Sequence, residues 1–153
     1  MKKIVIGSDH GGFRLKEKLK VYLRRKGFAI KDVGTYSEES CDYPLYAFRV
    51  AKEVSTGRYR QGIVICKSGI GTAIVANKLP RVRASLCYNV KAAIATRRHN
   101  DSNVLSLGSQ FVSGKKAKAI VAAWLSTEFE GGRHARRLKI IQDIERKVSG
   151  CRK

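Results

Sequence analysis

Proline is nearly absent from this chain of 153 residues, with two in all, beside one tryptophan and one methionine. Polyproline and collagen-like architectures are excluded, and helices and strands can run with few forced breaks. Long apolar runs are missing too: no stretch nears the ~18 consecutive apolar residues of a membrane-spanning helix. The N-terminal string MKKIVIGSDHGG offers only Ile4, Val5 and Ile6 before polar residues return. That is too short for a signal-peptide core and suits a first buried strand, so a cytoplasmic protein is expected. The four cysteines, at 41, 66, 87 and 151, form no C-x-x-C pair and have no histidine at zinc-finger spacing. Structural zinc and a disulfide framework are not expected. Acidic residues are scarce, 12 against 32 Lys and Arg, for a formal charge of +20.

That charge invites a polyanion partner. The basic residues are spread, however: Arg14, Lys16, Lys18 and Lys20 in the first helical stretch, Lys115–Lys118, and the tail from Arg133. Without a helix-turn-helix, zinc-finger or RNP signature they read as solvated helix faces, binding nucleic acid only non-specifically. The hydrophobic fraction of 43% is ordinary for a soluble folded chain.

Short apolar runs alternate with helical patterns. Strands are predicted over 3–7, 28–33, 62–66, 83–88 and 103–107, and helices over 13–26, 72–78, 90–98 and 115–125. A further helix begins at Pro44, which suits a first helical turn, and runs towards Gly57. Leu138, Ile141, Ile144 and Val148 make the tail, about 133–148, an amphipathic helix. The alternation implies a single Rossmann-like three-layer α/β domain over 1–153, with about five parallel strands and helices on both faces. Ligands of such sheets bind beyond the C-terminal strand ends.

The first strand ends in Ser8-Asp9-His10-Gly11-Gly12, where Asp9 is either a helix cap or an acid at the ligand edge. The third ends in Cys66-Lys67-Ser68-Gly69-Ile70-Gly71, a glycine turn entering a helix. Backbone N–H groups in such a turn form an anion nest, and a cysteine beside it is favoured as thiolate. Equally, Cys66 taken alone is a small buried hydrophobe. His99 ends a helix, either as a dipole partner or as a proton carrier. Arg133 and Arg137 share one helical face, either as a solvated surface or as a dianion clamp.

Five strings in this order, GSDHGGFRLKEKL, GTYSEESCDYP, SGIGTAIVANK, RRHNDSNVLSLGS and FEGGRHARR, resemble the type B ribose-5-phosphate isomerases, a group that includes galactose-6-phosphate isomerase subunits. The resemblance covers nearly the whole chain. It implies an aldose–ketose isomerase of the pentose phosphate pathway, acting through an enediol without cofactor or metal. By the same resemblance Cys66 is the base, and Ser68 with Gly69, Ile70 and Gly71 stabilises the enediolate. His99 opens the furanose ring. Asp9, counted with the catalytic groups, holds sugar hydroxyls with Tyr43 and Asn100. His10, Arg133 and Arg137 bind the phosphate. The family pattern also implies a homodimer or homotetramer with shared active sites, the C-terminal helix packing on a partner subunit. Two positions of the binding set depart from that pattern: Lys67 replaces a glycine in the anion turn, and Gln110 replaces a phosphate-binding arginine. Isomerisation of a six-carbon sugar phosphate, or binding of sugar phosphate or nucleic acid without catalysis, are the alternatives. A flavodoxin-like or dinucleotide-binding domain fits the fold but lacks the fingerprint.

Overall fold

Alternation along the strands decides how the layers form. Ile4, Ile6, Ile63, Ile65, Leu105 and Leu107 point to one side of a sheet, and Val5, Val64 and Val104 to the other. Both sides are buried, the pattern of a parallel sheet covered on two faces. In the computed structural model, which describes residues 1–150, the strands are β1 (Lys2–Ser8), β2 (Phe28–Asp32), β3 (Gly62–Cys66), β4 (Ala84–Leu86) and β5 (Val104–Gly108). They lie in the order β2-β1-β3-β5-β4, and every neighbouring pair is parallel.

The helices are α1 (Phe13–Arg25), α2 (Tyr43–Ser55), α3 (Ile70–Ala76), α4 (Val90–Asn100), α5 (Gly114–Ser126) and α6 (Arg133–Gly150). α1, α4 and α5 cover the isoleucine-and-leucine face, where Trp124 is fully buried and donates to Ser102 Oγ at 2.8 Å. α2 and α3 cover the valine face. The expected three-layer fold and C-terminal helix are present. The expected element boundaries shift by a few residues. β4 is shorter than predicted because it is an edge strand whose flanks find other partners. Arg83 N–H bonds the Asn103 side chain, at 2.8 Å. α3 begins at Ile70 rather than Thr72, because Gly69 takes a left-handed φ of 78° directly before it.

One basic residue was misplaced by the sequence. Lys16 is not solvated; it is fully buried on α1, with Nζ 2.6 Å from Asp32 Oδ2 and 3.2 Å from Glu17. Lys20 reaches the same Asp32 oxygen at 2.6 Å. Burial works against the Asp32 charge, but Lys16, Lys20 and the Gly34 N–H together hold the carboxyl below its ordinary range.

The chain winds left from β1 to β2 and right from β3 onward, so the sheet reverses between β1 and β3. In doubly wound sheets such a reversal is where ligands bind, outside the carboxyl ends of the two strands.

Candidate active site

The ends of β1 and β3 lie side by side at that switch point. Cys66 closes β3 and is 5% exposed. Its Sγ accepts the Gly69 N–H at 3.0 Å and lies 3.5 Å from Thr72 Oγ1. Thr72 in turn sits 2.9 Å from Ser106 Oγ and 3.1 Å from the Gly69 carbonyl. Ser106 also donates to that carbonyl, at 2.6 Å, so the Thr72 proton has the carbonyl, the Ser106 oxygen and the sulfur as alternative acceptors. A buried sulfur facing one N–H and one hydroxyl is a place where negative charge is supported. Burial pushes the Cys87 thiol up to about 11. Cys41 and Cys87 are free thiols with Cys66, while Cys151 lies outside the described residues.

The expected glycine turn forms, with a division of labour that the spacing did not reveal. Gly69 N–H serves the sulfur, and Ile70 N–H donates to Ser68 Oγ at 3.1 Å. Ser68 therefore keeps its own proton free to donate. The Tyr88 hydroxyl donates to the Ser68 carbonyl at 2.9 Å and fixes the turn from outside. Gly71 admits Tyr43: a Cβ there would stand 2.5 Å from the tyrosine ring. The first residue of α2 is thus laid against the start of α3.

Asp9 is a cap as well as an edge acid, since Oδ1 accepts the Gly12 N–H at 3.0 Å. His10 Nδ1 lies 3.2 Å from both the N–H and the carbonyl of Cys41. A neutral ring accepts from the former and a protonated ring donates to the latter, so the 34–42 loop holds either state and leaves Nε2 free. Lys67 is exposed, and its side chain lies along Gly11, where a Cβ would come 2.4 Å from Cγ. Its carbonyl accepts the Gln110 N–H at 3.0 Å, so the two departures from the family pattern share one corner of the site.

His99, Asn100, Arg133 and Arg137 are elsewhere. α4 runs back along the sheet, so its end returns to the opposite edge, where Arg83 Nε bonds the Asn100 carbonyl at 3.0 Å. A five-residue strand separates the edges by about 13 Å. The sequence ordered these residues correctly but did not show that a returning helix carries them away from Cys66. There His99 and His134 stack with centroids 4.4 Å apart, and Arg133 and Arg137 are exposed on the first turns of α6. Burial, helped by His99, Arg133 and Arg137 against Glu130, holds the His134 pKa below its ordinary value. His99, Glu130 and His134 are the one trio with metal-ligand chemistry among the described residues.

Thr72, Ser106 and Tyr88 were not singled out from sequence. The usable signal was a serine inside the otherwise apolar VLSLG strand: a fully buried hydroxyl needs a partner.

A buried cysteine beside a glycine turn, at the switch point of a parallel α/β sheet, is the arrangement of an α/β enzyme. The chain belongs to the ribose/galactose isomerase family, which matches residues 4–141. It is 46% identical to ribose-5-phosphate isomerase B of Escherichia coli over 147 residues, 96% of this chain and 99% of that protein. A putative sugar phosphate isomerase of Bacillus subtilis is 41% identical, over 95% and 98% of the two chains. The structure of ribose-5-phosphate isomerase B from Clostridium thermocellum superposes with a TM-score of 0.94 at 46% identity, covering 95% and 99%. The Mycoplasma genitalium enzyme, solved with bound ribulose-5-phosphate, gives 0.91 at 40% identity, covering 94% and 96%.

Proposed function

We propose that this chain interconverts ribose 5-phosphate and ribulose 5-phosphate through an enediolate. The observation that carries the proposal is the buried Cys66 sulfur, held by Gly69 N–H at 3.0 Å at the switch point between β1 and β3. The thiolate takes the proton from C2 of the open-chain aldose, and the C1 carbonyl electrons move onto O1. The same sulfur returns the proton to C1 as the O2 proton passes to O1 and C2 becomes the carbonyl. Ser68 Oγ–H and the Gly71 N–H meet the oxyanion, and Asp9 and Tyr43 orient the sugar hydroxyls. His10 holds the phosphate from the β1 end, with Lys67 and Gln110 beside it. Remote anchoring of the phosphate fixes C1 and C2 against the base.

Ring opening by His99, with Asn100 on the sugar and Arg133 and Arg137 on the phosphate, comes from a second copy of the chain. Two features support this reading: those groups lie on the opposite sheet edge, and both regions expose large apolar side chains. Near Cys66 these are Leu45, Phe48, Ile70 and Ile74, and along α6 Ile141, Ile144 and Val148, all 46–58% exposed. Such faces suit a symmetric interface, and the chain as a whole serves as one isomerase unit. No helix among the described residues is long and apolar enough to cross a membrane, and the free thiols suit a cytoplasmic setting.

A substrate panel of ribose, allose and galactose phosphates tests the reading, with wild type beside Cys66→Ala. Turnover of ribose 5-phosphate that disappears in Cys66→Ala is expected. Full activity in that variant, or turnover of none of the sugars, overturns it, and preference for a hexose phosphate moves the substrate class.

A further inference from the structure

Three side chains at the opposite sheet edge meet around a common point. His99 ends α4, Glu130 lies in the loop after α5, and His134 stands in the first turn of α6; their ligand atoms all fall within 4.8 Å of one another. The backbone beneath them is fixed. Glu130 N–H bonds the Arg98 carbonyl at 3.1 Å, and His134 N–H bonds the Gly131 carbonyl at 3.0 Å. The imidazoles stack at 16° with centroids 4.4 Å apart. Glu130 divides its oxygens, Oε2 lying 3.7 Å from His134 Nε2 and Oε1 3.6 Å from Arg98 Nε. The proposed reaction uses His99 but neither Glu130 nor His134.

Two imidazoles and a carboxylate form the donor set of zinc sites that keep one position open. Bonds of about 2.0–2.2 Å require donors about 3.3 Å apart with converging lone pairs, so from separations within 4.8 Å closure draws the donors in by up to about 1.5 Å and turns His99 off its stack on His134. His99 and Glu130 are exposed and free to move in this way, while the buried His134 supplies a fixed ligand. The competing Arg98–Glu130 pair is exposed on both sides, and its loss costs little. Arg133 and Arg137 add like charge nearby, which limits affinity and favours a site filled only when metal is abundant.

We propose that His99, Glu130 and His134 bind a divalent transition metal of the zinc class, and that the bound ion inhibits the enzyme by occupying the His99 imidazole. Inhibition rests on the isomerase reading above; binding does not.

Co2+ is the probe, titrated into the full chain and followed by its visible d–d bands. One Co2+ per chain, displaced by Zn2+, is expected. Glu130→Gln and His134→Gln each weaken it by about tenfold or more, and Cys66→Ala leaves it unchanged. In the ribose 5-phosphate assay, Zn2+ slows wild type reversibly with EDTA. The exposed Glu130→Gln keeps metal-free turnover and needs about tenfold or more Zn2+ for the same inhibition. Because His134 is buried, Glu130→Gln decides if the other variant fails to fold. Unchanged Co2+ affinity in Glu130→Gln, or a thiolate charge-transfer band lost in Cys66→Ala, overturns the site. Bound metal with unimpaired turnover overturns the inhibitory half. The expected Co2+ behaviour in a chain with no isomerase activity supports the site and sinks the proposed function instead.

Discussion

Thr72→Val deletes one hydroxyl beside Cys66 and leaves nearly the same volume. The Gly69 carbonyl keeps its Ser106 donor at 2.6 Å, so stability should change by no more than about 1 kcal/mol. The sulfur loses the hydroxyl at 3.5 Å. A hydrogen bond to a charged group contributes about 1.5–3 kcal/mol, and a long O–H···S contact sits at the lower end. Since about 1.4 kcal/mol is tenfold in rate, kcat should fall roughly tenfold with KM unchanged. Ser106→Ala attacks the same contact indirectly. Without its nearest donor, the Gly69 carbonyl holds the Thr72 hydroxyl, which already donates to it at 3.1 Å, more fully, and the sulfur is deserted again. The double variant should therefore be no slower than Thr72→Val, a non-additive cycle. Steady-state kinetics on ribose 5-phosphate, with urea melts of each variant, supply the data. Wild-type kcat in Thr72→Val, or additive losses in the double variant, would refute the hydroxyl's role.

Asp32→Asn strands the buried Lys16 ammonium beside only Glu17 at 3.2 Å and should cost about 3 kcal/mol, read as a lowered urea midpoint. Asp32 titrates below its unfolded value. Its stabilisation is therefore complete above the ordinary carboxylate range and drains away as pH falls through the folded pKa. Wild-type urea midpoints should show that acid decline, and Asp32→Asn should show less of it. Gln110→Arg adds a charge-assisted phosphate contact, and KM for ribose 5-phosphate should fall roughly ten- to hundredfold in the substrate panel. Ile144→Asp places a charge on the exposed face of α6 and should shift the chain towards monomer in light scattering, with turnover lost in parallel.

Local patterns made most of the fold legible. The all-apolar GIVIC segment announced a central strand, and Leu15, Leu19 and Leu23 the buried face of α1. Periodicity could not reveal the burial of Lys16, because its partner Asp32 lies on another element and pairing across a sheet leaves no mark in spacing. The site was legible where neighbours in sequence are neighbours in space, as in Cys66, Ser68 and the glycine turn. Contacts between elements stayed hidden: Ser106 on β5 reaching Gly69, Tyr88 fixing Ser68, and Cys41 seating His10. The return of His99 to the far edge is a matter of topology, and motif order carries no such information.

The opposite-edge placement of Cys66 and His99 also has a genetic meaning. In the proposed pairing, each catalytic centre takes its sulfur from one copy and its ring-opening imidazole from the other. Chains carrying Cys66→Ala and chains carrying His99→Asn are then separately crippled but mutually corrective. A mixed dimer has one centre with both defects and one with none. Random reassortment of equal amounts should bring back about a quarter of the intact centres. Two damaged alleles expressed together would thus supply isomerase activity that neither gives alone.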